Sequence, residues 1–193
     1  MKLLSSILLS IASLVIALPS QPNHPKGFTG SDEELGALIA WIQAQKGVTA
    51  WPKGSHLAAQ DVFVTDLKKR GKPRLVPENQ VVAAMTQVGL QPLIEPNKSQ
   101  LEHFAKLIKA KHLLVLALSD DREAERSGSG KFNVGGALSL INVSTGEVAW
   151  IVSAQRPVSG VKGNTMTKQQ ANAALKALSA ELIQKAHSKM KAR

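Results

Sequence analysis

The side chains that most often carry out chemistry are sparse in this sequence, and they do not stand at the spacings that known sites require. The chain has five histidines and no cysteine, which excludes thiol catalysis, disulfides, iron–sulfur clusters and cysteine-ligated zinc. No two histidines stand at metal-ligand spacing, and the G-x-S-x-G motif of serine hydrolases is absent. The sequence therefore predicts a protein that is not an enzyme and that holds no metal or cofactor.

One short segment, SGSGK at 127–131, resembles part of a phosphate-binding loop. The motif fails at both ends, because Glu125 stands where its first glycine belongs and Phe132 stands where it needs Ser or Thr for magnesium. The first 20 residues also have the form of a secretory signal peptide, as described below for Lys2 to Pro19, and an exported protein would meet no ATP. We therefore do not predict nucleotide binding at this segment.

The same charged, glycine-rich region, 119–135, contains several carboxylates close together in sequence. Arginines are interleaved with them, and the region lacks the alternating oxygen ligands and central glycine of a calcium loop. We interpret it as a mobile surface loop between two strands, with neutralising charges of both signs. Three of its residues are candidate partner contacts: Asp120, Asp121 and Arg122.

Positive charge dominates the chain, with 24 Lys and Arg against 14 Asp and Glu and a net charge of +10. Five cations fall close together, namely Lys68, Lys69, Arg70, Lys72 and Arg74, and the last predicted helix also ends in basic residues. Such charge serves solubility and compensates helix dipoles, or it docks the protein on an anionic surface. We do not expect a nucleic-acid partner, because export removes that substrate and few aromatic rings are present for base stacking.

The first 20 residues have the form of a secretory signal peptide. Lys2 precedes an apolar stretch that ends at Leu18, shorter than the roughly 20 residues of a spanning helix, and Pro19 follows it. A retained N-terminal anchor is the alternative. We predict a signal peptide at 1–20, a linker at 21–30 and a single domain at 31–193, periplasmic or secreted after cleavage and not an integral membrane protein.

The hydrophobic pattern of the predicted domain alternates between helical and strand periods. Helices are predicted at 32–46, 56–70, about 77–88, about 99–110 and from Thr167 onward. Strands are predicted at 48–52, 74–76, 112–119, 137–143 and 147–153. Loops are predicted at 119–135 and 156–166. Helices between strands imply crossover connections, and the last two strands form a hairpin. The fold class is therefore α/β with a small mixed sheet, and Trp41, Trp51 and Trp150 are predicted to lie in its core.

Three segments together resemble the periplasmic LpoB/CsgG-like family, which includes a penicillin-binding-protein activator and a curli secretion component, and whose fold the N-terminal domain of TolB shares. They are 73–96, 101–119 and 137–155, and they carry Leu75-Val76, Gly89-Leu90 and the hairpin from Thr145-Gly146-Glu147 to Trp150. The resemblance implies a three-layer α/β domain that binds envelope proteins without catalysing a reaction. The chain departs from those lipoproteins in having no cysteine for a lipid anchor.

Two functional hypotheses follow. The first is an exported, non-catalytic interaction module of the bacterial cell envelope, resembling activators or scaffolds of wall or outer-membrane machinery, with an envelope protein or assembly as its partner. The alternative is a charge-driven binder of anionic lipid headgroups or wall polymer. The candidate contact surfaces are the basic cluster at 68–74 and the loop at 119–135.

Overall fold

The computed structural model describes residues 36–44, 48–70, 75–121, 132–161 and 165–191. The elements in chain order are β1 (Gly36–Ile42), α1 (Ser55–Arg70), α2 (Glu78–Val88), α3 (Lys98–Ile108), β2 (His112–Asp121), β3 (Phe132–Asn142), β4 (Val148–Val158) and α4 (Lys168–Lys191). The predicted signal peptide and linker lie outside the described residues.

The four strands form one mixed sheet in the order β1-β2-β3-β4. β1 runs parallel to β2, while β2, β3 and β4 are successive antiparallel neighbours. A parallel pair cannot be joined by a tight turn, so the chain makes its crossover from β1 to β2 through α1, α2 and α3. β3 and β4 form the predicted hairpin, with strands longer than the sequence pattern indicated.

Each face of the sheet is covered by two helices, which gives the three-layer α/β architecture expected from the sequence. On one face, Phe63 of α1 and Leu178 of α4 pack with even-numbered residues of β2 such as Leu116. On the other face, Val81 of α2 and Phe104 of α3 pack with odd-numbered residues of β2 such as Leu113. We refer to these as the α1/α4 face and the α2/α3 face.

The predicted helix at 32–46 is wrong, because residues 36–42 form strand β1. Its apolar residues occur at helical spacing, but the whole segment, GALIAWI, is apolar and every residue of it is buried. Burial on both faces is what a parallel strand between two helical layers requires. Such a continuous apolar run satisfies a helical and a strand pattern equally well.

Two predicted short strands are also corrected. In 48–52 the structure shows an isolated bridge residue at Val48 and otherwise irregular chain. Leu75 forms a single bridge to Gly36 rather than a strand. Each segment is joined to the rest of the fold by single hydrogen bonds rather than by a strand ladder. The Ala50 amide donates to the Asp120 side chain, and the Val76 amide donates to the Gly36 carbonyl.

Both predicted loops are shorter than expected at the ends where the structure describes them. β2 continues to Asp121 and β3 begins at Phe132, so strand pairing occupies both ends of 119–135. β4 likewise continues through Pro157 to Val158. The polar residues at these strand ends favoured a loop in the prediction. The backbone pairing between the strands nevertheless continues past the residues of the apolar core.

The remaining helices and the core agree with the prediction. α1 and α2 begin and end, and α4 begins, within a few residues of the predicted bounds, and Trp41, Trp51 and Trp150 are buried. At the start of α3, Ser99 and Glu102 have the spacing of a capping box, but the box lies two residues earlier, where Asn97 and Gln100 exchange the two cap hydrogen bonds. The apolar stripe that the sequence places on α3 at helical spacing is buried, namely Leu101, Phe104, Ala105 and Ile108.

Candidate functional site

The basic cluster is only partly described by the structure. Lys68 and Lys69 are exposed on the last turn of α1, and the Lys69 ammonium lies 3.5 Å from the Asp66 carboxylate one turn earlier. Arg70 is the last residue of α1, whereas Lys72 and Arg74 lie outside the described residues. The joint action of these five cations as a contact surface stays a prediction.

Asp120 is not a surface contact, which corrects the prediction made for it. Its side chain is buried and its Oδ2 atom accepts hydrogen bonds from the Thr49 hydroxyl at 2.6 Å and the Ala50 amide at 2.7 Å. The extension of β2 turns Asp120 toward the α1/α4 face, where it holds the segment 48–52. Asp121 is half-buried, and Arg122 lies outside the described residues.

The structure instead reveals an exposed apolar feature in the connection between α2 and α3. Leu93 and Ile94 have 43% and 55% of their surface exposed, although they are large apolar residues next to each other. The connection is fixed at its start, because the Ile42 amide at the end of β1 donates to the Pro92 carbonyl at 2.7 Å. It is fixed at its end by the capping box of α3 at Asn97.

An apolar cavity of about 40 Å³ opens on the α2/α3 face of the sheet, and Glu95 and Pro96, which directly follow Leu93 and Ile94 in the chain, help to line it. Its floor comes from β2 and β3, namely Val115, Ala117, Ala137, Ser139 and Ile141. Its walls come from other elements, namely Trp41, Glu95, Pro96, Leu101 and Val148. The cavity is thus assembled from all four strands of the sheet, from α3 and from the connection before α3.

A second, smaller depression continues from the first toward the hairpin turn. Its lining consists of Lys98, Leu101, Glu102, Leu113, Ile141, Val143 and Gly146. Leu101 and Ile141 line both depressions, so the two depressions are direct neighbours with a shared wall. We call them together the docking groove, defined by these two sets of lining residues.

The hairpin turn forms one end of the docking groove, and its sequence explains its shape. The side-chain oxygen of Asn142 accepts hydrogen bonds from the amide and the hydroxyl of Ser144. The backbone carbonyl of Asn142 accepts a hydrogen bond from the Gly146 amide at 2.8 Å. Gly146 has φ of 70°, a left-handed conformation that favours glycine. A Cβ atom there would also lie 3.3 Å from the side chain of Lys98.

One carboxylate of the groove has no charged partner among the residues that the structure describes. Glu95 is half-buried, and burial raises the pKa of its carboxyl above the ordinary value. By contrast, Glu102 at the other end of the groove lies 3.9 Å from the Lys98 ammonium. Among the described residues, Glu95 is therefore a carboxylate without an ion-pair partner in a cavity lined mostly by apolar side chains.

The groove borders a part of the sheet that α2 and α3 leave open. On β4, the residues of the α2/α3 face include Ile151, which is half-buried, and Ser153 and Gln155, which are exposed. Ile151 pairs directly with Ser139 of the groove floor. A partner in the groove can therefore extend onto β4 without displacing any helix.

The free edge of β4 is poorly suited to strand addition in its second half. Pro157 has no N–H to donate, and the Ser153 carbonyl already accepts from the Lys185 ammonium at 2.7 Å. Proline and lysine on an edge strand discourage pairing with another chain. In this half of β4, the face of the strand is thus better suited to a partner than its edge.

Lys185 also belongs to an ion-pair cluster that should make stability depend on pH. Glu181 lies 2.7 Å from Lys185 and 2.5 Å from Arg156, and the hydrogen bond from Lys185 is the main reason that the pKa of Glu181 is below its ordinary 4.5. A carboxyl group whose pKa is lowered in the folded state stabilises the fold when the pH is above the ordinary pKa. This stabilisation is lost as the pH falls through the lowered pKa. We expect Glu181→Gln to have a lower Tm than the wild type at about pH 7, and this difference to shrink as the pH falls below 4.5 and through the lowered pKa of Glu181. Thermal unfolding of both proteins over a series of pH values tests this; a difference unchanged by pH would contradict it.

Within the described part of the chain, no group of three or more His, Cys, Asp or Glu side chains is placed to hold a metal ion. No helix in the same ranges combines the length and the apolar character that crossing a membrane requires.

Comparison with known proteins finds structural likenesses alone. No model of a known protein family and no curated protein matches the sequence. The structure is similar to the LpoB C-terminal domain from Escherichia coli, with a TM-score of 0.45, 18% identity and coverage of 67% of this chain and 89% of that one. For the LpoB C-terminal domain from Salmonella enterica the values are 0.43, 19%, 66% and 83%.

A further likeness is to lipoprotein GNA1162 from Neisseria meningitidis, with a TM-score of 0.45, 14% identity and coverage of 80% of this chain and 97% of that one. The resemblance to the curli secretion component and to the TolB domain stays a prediction.

Proposed function

We propose that this chain is a non-catalytic docking module for a protein of the bacterial cell envelope, and that its contact surface is the docking groove together with Leu93, Ile94 and Ile151. The observation that carries the proposal is the exposure of Leu93 and Ile94 in the connection whose next two residues, Glu95 and Pro96, line an open apolar cavity. Adjacent exposed apolar side chains next to a concave surface are typical of interaction sites.

The groove is held ready for a partner by contacts that do not depend on one. The connection carrying Leu93 and Ile94 is tied to β1 at Pro92, and the Gln100 side chain donates to the Gly89 carbonyl at 3.4 Å. A surface that is already ordered loses less conformational entropy on binding. Leu93 and Ile94 are therefore presented in place, and their burial by a partner would be a net gain.

The location in the envelope is supported by the signal-peptide form of residues 1–20 and by the motif resemblance of 73–155. Activation or scaffolding of wall or outer-membrane machinery is the form of docking that this resemblance implies. In such a role, the module would act by holding a partner protein in one conformation or position.

A second candidate function is the charge-driven binding of anionic lipid headgroups or wall polymer. It is favoured by the exposure of Lys68 and Lys69 together at the end of α1. This function predicts binding to anionic vesicles that weakens steeply as salt rises to physiological strength. It places the contact on α1 rather than in the groove.

Site-specific photo-crosslinking in the producing cell distinguishes the two functions. A photoreactive phenylalanine analogue is placed at Ile94 or Gln155 beside the groove, at Lys69 on α1, or at Asn172 on α4 as a matched exposed control. We expect one discrete protein adduct from Ile94 and Gln155, and none from Lys69 or Asn172. Adducts from Lys69 alone would overturn the groove and favour the basic surface.

A further inference from the structure

We propose that the docking groove selects a peptide segment in which a single Lys or Arg is flanked by apolar side chains, with its cation paired to Glu95. This inference rests on the proposed docking function and names the chemistry of the partner that the groove accepts. It is carried by charge complementarity between the unpaired carboxylate of Glu95 and the cation that a partner would supply.

The Glu95 carboxylate has no partner among the described residues. In these ranges, no Lys, Arg or His side chain lies within ion-pair distance of it, and no hydrogen bond reaches it. Glu95 lines the cavity together with apolar residues, including Trp41 and Pro96. A charge in such a place interacts more strongly with an arriving cation than an exposed charge does, because water screens it less.

The cavity lining fits the stem of a long cationic side chain. Apart from Glu95 and Ser139, the residues around the cavity are apolar, and the Ser139 hydroxyl already donates to the Val115 carbonyl. Lysine and arginine bury their methylene groups on apolar surface while the charged end reaches a polar group. The floor would therefore contact the methylenes, and Glu95 would bind the charged end.

The rest of the molecule limits how much positive charge a partner can carry. The chain has a net charge of +10, and the far end of the groove carries Lys98, which is already paired with Glu102. A segment with several cations would therefore be repelled by the field of the whole protein. Leu93 and Ile94 would instead be buried by apolar side chains of the partner. We therefore expect the partner segment to carry a single cation among apolar residues.

The test uses a displayed library of random dodecapeptides, selected on the immobilised full chain at about 0.15 M salt, where charges beyond about 8 Å are screened. The same selection is run on Glu95→Gln and on Glu147→Gln, which removes an exposed carboxylate next to the groove end but outside the cavity. We expect the wild type and Glu147→Gln to enrich apolar peptides with one Lys or Arg. These peptides should bind Glu95→Gln about tenfold more weakly, and norleucine in place of their cation should weaken binding to the wild type equally.

Each other result overturns a defined part of the account. Apolar peptides without a preferred cation would overturn the role of Glu95 and leave the docking function standing. Acidic peptides that bind wild type and Glu95→Gln equally but fail on Lys68→Glu/Lys69→Glu would overturn both. Enrichment of no peptide would also contradict docking in the groove.

A folding defect is not the expected explanation for weaker binding to Glu95→Gln. Burial that raises the pKa of Glu95 means that the ionised side chain opposes folding at neutral pH. Glutamine removes that charge at nearly the same size. The Tm of the variant should therefore equal or exceed that of the wild type, and a lower Tm would contradict this reading of Glu95.

Discussion

Replacing Asp120 by alanine should lower the free energy of unfolding by about 3 kcal/mol, because two hydrogen bonds to a buried carboxylate are lost together. The Ala50 amide, which donates to this carboxylate at 2.7 Å, belongs to a fully buried residue and would be left without that acceptor. The Ala50 carbonyl in turn accepts from the Met166 amide just before α4. Asp120 thus connects β2, the segment 48–52 and the start of α4.

Urea unfolding of the purified chain measures this loss, and two variants act as controls. Asp120→Asn keeps one acceptor oxygen in place and should cost clearly less than the alanine variant. Asp61→Ala removes an exposed carboxylate of α1 and should change stability by less than about 0.5 kcal/mol. If Asp120→Ala were no more destabilising than Asp61→Ala, Asp120 would not be a structural residue.

Replacing Gly136 by valine should lower the free energy of unfolding by about 2–3 kcal/mol through overpacking. Gly136 lies on β3 beneath α4, and a Cβ atom added there would lie 3.0 Å from Leu182 and 3.7 Å from Leu178. Both leucines are fully buried. The missing side chain at Gly136 is therefore what lets α4 pack closely against the sheet.

A double-mutant cycle with Leu182→Ala tests that explanation. Alone, Leu182→Ala should destabilise by about 2–5 kcal/mol, because it leaves a cavity in the core. Combined with Gly136→Val, the loss should be at least about 1 kcal/mol smaller than the sum of the single losses, since the valine fills space that the leucine vacated. Strict additivity would show that contact with Leu182 is not the cause.

Much of the fold could be predicted where a pattern had one structural solution. The stripe at Leu101, Phe104 and Ile108 fits only a helix, and the Thr-Gly turn at 145–146 between two β-rich segments fits only a hairpin. β1 could not be predicted in this way, because a strand buried on both faces is apolar throughout. Its second buried face is created by α2 and α3, which come later in the chain.

Asp120 shows a second reason why part of the structure could not be predicted from the sequence. Its neighbours in the chain are charged and polar, so the sequence alone favoured a solvated loop. The residues that bury it, Thr49 and Ala50, are about 70 positions away, and no local pattern indicates that contact. A charged residue becomes structural only when the fold supplies its donors.

The docking groove was beyond prediction for the same reason, since all four strands, α3, the connection before α3 and the hairpin turn contribute residues to it. One local signal was present: two large apolar residues, Leu93 and Ile94, stand between Pro92 and Pro96, with no helical or strand period to bury them. An apolar pair in a proline-bounded connection has no core to enter, which indicates exposure for a partner. The carboxylate of Glu95 follows this pair directly.

The central claim is that the docking groove, and not the basic end of α1, contacts a protein partner. Comparing photo-crosslinks from Ile94 and Lys69 in the producing cell tests it most directly, since both positions are exposed and lie on different elements. The account predicts a discrete protein adduct from Ile94 that disappears when Leu93 is replaced by aspartate, with none from Lys69. Adducts from Lys69 with none from Ile94 would contradict it.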